Sequence, residues 1–149
     1  MNDTVQAQLA KEEVGSKKIR CAGGVVVNTL TSKVLLVKNA ETGAWGIPKG
    51  KRKGKGTKRE ESLLAAVREI GEETGVTDLV VWRLLGSYSR PKDRTRKVIE
   101  VFLFYTKQEE LIATDPRHQE IGWFTKEEAV CFITLAEDRQ FFAEHQHAF

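Results

Sequence analysis

Apolar positions at the start of the chain come in short aliphatic runs. CAGGVVVN (21–28) and KVLLVKN (33–39), separated by TLTS, predict two strands with a tight connection. Residues 1–18 show no sustained periodicity and predict a mobile or marginally helical tail, which leaves a domain over 19–149. The segment 40–59 is so rich in glycine, proline and charge that no regular structure is expected in it. ESLLAAVREIGEETG (61–75) then takes up a helical rhythm: Leu63, Val67 and Ile70 recur on one face, and Gly75 is placed to end the helix. LVVWRLLGSYSR and RKVIEVFLFYTK, joined by the turn-rich PKDRT, predict a hairpin, and EIGWFT a further strand. Thr125 with Glu128 three residues on is a capping-box pattern opening a mostly helical C-terminus. Strands, a helix, more strands and closing helices together predict an α/β domain, a mixed sheet with helices packed on it.

With 149 residues, one core is enough. Apolar content of 40% and charged content of 30% are too polar for a membrane protein, and no run approaches the roughly 20 residues that span a bilayer. Without a signal-peptide pattern the expected location is cytoplasmic. Cys21 and Cys131 lie far apart without a CxxC pair, so both are expected as buried thiols. Trp45, Trp82 and Trp123 are expected in the core, with Tyr88 placed to reach a substrate ring. His118, His145 and His147 have no metal-ligand spacing and receive no catalytic role.

Charge is unevenly distributed. Residues 49–59 hold seven basic side chains and no acid, whereas residues 60–73 hold five acids and one arginine. Three of those acids, Glu69, Glu72 and Glu73, fall in the last turn of the expected helix, where the helix dipole and their mutual repulsion both disfavour them. On a helix they occupy roughly 100° of arc opposite the Leu63/Val67/Ile70 stripe. A solvated acidic face is the ordinary explanation. A divalent cation would instead turn each penalty into an attraction, and oxygen ligands suit Mg²⁺, with Mn²⁺ as the second choice.

From Gly54 the residues Gly54, Glu60, Arg68, Glu69, Ile70, Glu72, Glu73, Gly75 and Val76 fit the pattern G-X5-E-X7-R-E-U-X-E-E-X-G-U, with U aliphatic. The chain therefore resembles the Nudix hydrolases, and AGGVVV, KVLLVK, WGIPKG and EIGWFTKEEA extend the resemblance over about residues 20–130. In relatives with a W-x-x-P-K-G segment the glycine of PKG is itself the first of the box. Here Gly50 stands ten positions before Glu60, so either Gly54 takes that place or a basic four-residue insertion follows Gly50; the insertion is favoured.

The resemblance implies an α/β/α sandwich and a Mg²⁺-dependent hydrolysis of a pyrophosphate in a nucleoside diphosphate linked to another group. It implies Gly50, Glu69 and Glu73 as metal ligands, Glu72 as general base, Glu120 as the alternative base or an extra ligand, Glu60 as support and Arg68 as the residue that orients a glutamate. The basic segment can be a solvated run, a nucleic-acid patch or a polyphosphate clamp. The adjacent box favours the clamp, with Lys49, Lys51, Arg52, Lys53 and Arg90 binding a small-molecule polyphosphate. Lys92, Arg94, Arg96 and Lys97 could add contacts or simply decorate an exposed turn. A P-loop is excluded, because Lys55 stands where its second glycine belongs. A dinucleoside polyphosphate is the first expected substrate and a diphosphoinositol polyphosphate the second. A Nudix-fold domain that binds RNA or nucleotide without turnover is the alternative from another class.

Overall fold

The computed structural model describes residues 17–112 and 118–149; most of the tail expected over 1–18 lies outside them. Among the described residues seven strands form one sheet: β1 (Lys17–Asn28), β2 (Val34–Asn39), β3 (Trp45–Gly46), β4 (Lys49–Lys51), β5 (Val80–Lys92), β6 (Thr95–Thr106) and β7 (His118–Phe124). Helices are α1 (Ser62–Thr74), α2 (Lys126–Phe132) and α3 (Ala136–His145). Lys17 and Lys18, assigned to the tail from sequence, are already in β1, paired with Thr95 and Arg96.

The sheet is mixed, in the order β3-β2-β1-β6-β5. β1 runs parallel to β6 along its whole length, and β5 and β6 form the expected hairpin with Asp93 in a positive-φ turn. From Cys21 to Asn28, β1 is buried on both sides, as a central strand must be where helices cover both faces. Cys21, Val25 and Val27 join Ile99, Val101 and Leu103 beneath Ala129, Ile133, Phe141 and Phe142 of the C-terminal segment. Ala22, Val26, Leu35 and Phe104 face the other way, against Ala65, Ala66 and Ile70 of α1. The expected α/β/α sandwich is therefore present. No helix among the described residues is long and apolar enough to cross a membrane.

Next to β1 the sheet forks. The C-terminal end of β1 pairs with β2 at Val27 and Val34, whereas its middle, Cys21 to Gly23, pairs with β4. β4 and β3 both lie in the segment expected to be irregular. Glycine content hid them, yet it is glycine at positions 23 and 50 that lets the backbones close into a ladder beside α1.

Three further expectations are corrected. Val67 is partly exposed, and the buried arc of α1 runs through Ala65, Glu69, Glu73, Ala66 and Ile70, so two glutamates lie inside the packed face rather than opposite it. Trp82, on the edge strand β5, is 66% exposed, although Trp45 does pack against Phe124 and Phe132. Cys21 is buried, but Cys131 is exposed.

Candidate active site

The fork opens a cavity of about 530 Å³. One wall carries Glu69 and Glu73 from α1 and Gly50 from β4. The same cavity is lined by Lys49, Lys51, Arg90, Lys92 and Lys97, and its surface also includes Trp45, Asn39 and Asp138.

Glu69 and Glu73 are one helical turn apart and only 5% and 1% exposed. The αL cap at Gly75 ends α1 directly after them. Burying two carboxylates at this end of a helix requires compensation. Some of it comes from Arg68, whose guanidinium donates to both oxygens of Glu60, to Glu69 Oε1 at 2.8 Å, to Glu72 Oε2 at 3.1 Å and to the Lys51 carbonyl. The Lys49 amide donates to Glu73 Oε2 at 3.2 Å. Glu69 Oε2 remains buried without a hydrogen-bond partner. The Arg68 contact holds the Glu60 carboxyl at about 2, far below its ordinary range, and Glu60 in turn raises the Arg68 pKa.

Gly50 lies flat against the Glu69 carboxylate: a Cβ built there would stand 2.1 Å from Glu69 Cδ. Gly54 has a different task. With φ 80° it turns the chain, and a Cβ would stand 2.4 Å from the Lys58 carbonyl oxygen. Beyond it Glu60 closes the loop through its backbone and side-chain bonds to Lys53, and Arg52 is drawn to the Glu60 carbonyl and to Glu100. Hence Gly50 reaches the carboxylates, and the residues after it form a loop fastened beside them.

Among the expected site residues, the cavity brings together Lys49, Gly50, Lys51, Glu69, Glu73 and Arg90. Arg52, Lys53, Arg68, Glu72 and Glu120 do not line it. Glu72 has a half-exposed side chain in the same helical turn as the buried pair. The Glu120 side chain is 59% exposed on β7 and pairs with Lys38 at 3.6 Å.

The hairpin cations divide. Lys92 and Lys97 turn to the cavity, whereas Arg96 donates to Ser89 away from it. Burial, aided by Lys92 and Arg90, pushes the Lys97 ammonium down to about 8. Burial raises the Cys21 thiol, which keeps it protonated at the cavity wall. Sequence reasoning missed Asp138, which gave no motif signal because it comes from α3, 62 residues beyond Val76 at the end of the box. Tyr88 is committed to it by a 2.5 Å hydrogen bond and stacks on Phe141, not placed to receive a substrate ring.

These residues fit a hard divalent cation: a buried carboxylate oxygen lacks a partner, a second carboxylate lies one turn on, and a glycine backbone is pressed against the first. No three His, Cys, Asp or Glu side chains among the described residues converge into a complete cage. A hard divalent cation held by few protein groups takes its further oxygens from water or phosphate.

No curated protein matches the chain. Among solved structures it is similar to the MutT protein of Methanosarcina mazei Go1, at 22% identity over 89% of this chain and 96% of that one, with a TM-score of 0.76. A C. elegans Ap4A hydrolase in a binary complex is 21% identical over 88% of this chain and 99% of that one, TM-score 0.73. The E. coli dihydroneopterin triphosphate pyrophosphohydrolase is 16% identical over 90% and 99%, TM-score 0.74. At such identities the likeness concerns the fold. The NUDIX domain model, however, matches residues 17–145, a span that holds the carboxylate helix, the glycine against it and the strands of the cationic wall, and by that match the chain belongs to the NUDIX domain family of hydrolases.

Proposed function

We propose that this enzyme is a Mg²⁺-dependent pyrophosphohydrolase acting on a small molecule with several linked phosphates, a dinucleoside polyphosphate in the first instance. The observation that carries the reading is that two buried glutamates and five cationic side chains line one cavity. Glu69, Glu73 and the Gly50 carbonyl would hold the cation, which supplies charge neutralisation for the phosphates and a more acidic attacking water. Lys49, Lys51, Arg90, Lys92 and Lys97 bind and align the remaining phosphate charge. Arg68 fixes Glu69 and Glu72 relative to one another, and Glu60 fixes Arg68.

Glu72 takes the proton from the attacking water. Its support is position: it shares a helical turn with Glu69 and Glu73 and is held by Arg68, whereas Glu120 is engaged with Lys38 on β7. Proton transfer needs heavy atoms within about 3 Å, and Glu72 stands on the same helix as the proposed ligands Glu69 and Glu73.

The test is a substrate panel. Purified protein with Mg²⁺ should hydrolyse diadenosine tetraphosphate faster than nucleoside diphosphate sugars, with kcat/KM rising with phosphate number, and chelation should abolish turnover. A preference for a diphosphoinositol polyphosphate would keep the chemistry and replace the substrate. Binding without turnover of any member would overturn the reading.

A further inference from the structure

Asp138 is a carboxylate buried in a wall of cations. It lies in the first turn of α3 with its side chain 4% exposed. Oδ1 accepts the 2.5 Å bond from Tyr88 and lies 3.4 Å from Arg90 Nε, while Oδ2 lies 3.9 Å from Lys49 Nζ. Burial and the neighbouring carboxylate both raise the Tyr88 hydroxyl pKa, so Tyr88 remains a donor. Lys49 and Arg90 are themselves largely buried, with side chains 17% and 15% exposed, and each lines the cavity.

Lys49 also connects this cluster to the carboxylate side. Its amide donates to Glu73 and its neighbour Gly50 packs on Glu69. A wall made only of Lys49, Arg90, Lys92 and Lys97 would repel itself in a partly desolvated setting, and its flexible side chains would spread or fold onto any anion that entered. One buried acid lies between two of them, within ion-pair range of both and hydrogen-bonded to neither, so its hold on them is electrostatic.

We propose that Asp138 is a positioning residue: it anchors Lys49 and Arg90 so that bound phosphates are held in register with Glu69 and Glu73 rather than gripped as tightly as possible. This rests on the reading of the cavity as a polyphosphate site. Anchored cations give up some ground-state attraction and keep a fixed alignment, which is the arrangement that favours turnover over affinity. Docking α3 onto β5 is the purely structural alternative, and it makes a different prediction for affinity.

Asp138→Asn keeps the size and an acceptor for Tyr88 while removing the charge. With Mg²⁺ present, the variant should bind imidodiphosphate about threefold or more tighter in calorimetry, show a lower KM for diadenosine tetraphosphate, and lose about tenfold or more in kcat. Tyr88→Phe, which loosens the anchor without changing the charge of Asp138, should shift both quantities in the same direction by less. A loss of folded protein lowers the active fraction but does not tighten binding, so tighter binding separates positioning from docking. Unchanged or weaker imidodiphosphate binding in Asp138→Asn overturns the proposal, as does an undiminished kcat per folded molecule. If the wild type hydrolyses no member of the panel, the proposed function fails, and the imidodiphosphate comparison still decides the role of Asp138.

Discussion

Gly50 is where the sequence and the site meet most tightly. The glycine is required by contact, since any side chain would enter the space of the Glu69 carboxylate. Gly50→Ala should therefore displace Glu69, destabilise the fold by about 1–3 kcal/mol and reduce turnover by about two orders of magnitude. Gly54→Ala is strained by its φ of 80° and by the Lys58 carbonyl, but acts on the outer loop. Parallel melting curves and rates will show whether activity falls much further in the first variant than in the second. Glu60 offers a pH test. Its folded pKa is depressed to about 2 by Arg68, so its contribution to stability is complete above the ordinary value of 4.5 and is lost as pH falls through about 2. Glu60→Gln should melt below wild type at neutral pH, and the gap should narrow between pH 4.5 and 2.

At the level of elements, α1 was legible in its bounds and misleading in its faces. The apolar rhythm and Gly75 locate the helix, but a reading that sends acids outward places Glu69 and Glu73 in solvent, whereas Arg68 and the backbone of β4 let them be buried. Short strands such as β3 and β4 carry too few residues for a period to show, so the segment that shapes the cavity looked irregular. Likewise the basic run could not show that Lys51 turns inward while Arg52 turns to Glu60 and Glu100. Nor could spacing reveal that β6 delivers Lys97 to the same wall. With its ammonium held at about 8, Lys97 is charged below that pH and neutral above it. Its attraction for phosphate should thus weaken as pH rises through 8. KM for a dinucleoside tetraphosphate, whose internal phosphates stay ionised throughout, should climb above pH 8 in the wild type and much less in Lys97→Met.

On the scale of the whole molecule, the fold was readable because its aliphatic runs and helical rhythm are local, whereas the cavity is an agreement among strands and helices far apart in the chain. Asp138 in α3 and Glu73 in α1 line one cavity, and Lys49 touches both through its ammonium and its backbone amide. The fork opens from a strand packed on both faces, by α1 on one and the C-terminal helices on the other. The central claim is that the buried carboxylates of α1 hold the cation on which hydrolysis depends. The most direct measurement is the steady-state rate of Glu73→Gln on diadenosine tetraphosphate across a Mg²⁺ titration, alongside its melting temperature. The account predicts a folded protein melting within a few degrees of wild type, weakened Mg²⁺ dependence and turnover reduced by about two orders of magnitude or more. Near-wild-type turnover of Glu73→Gln at saturating Mg²⁺ would contradict it.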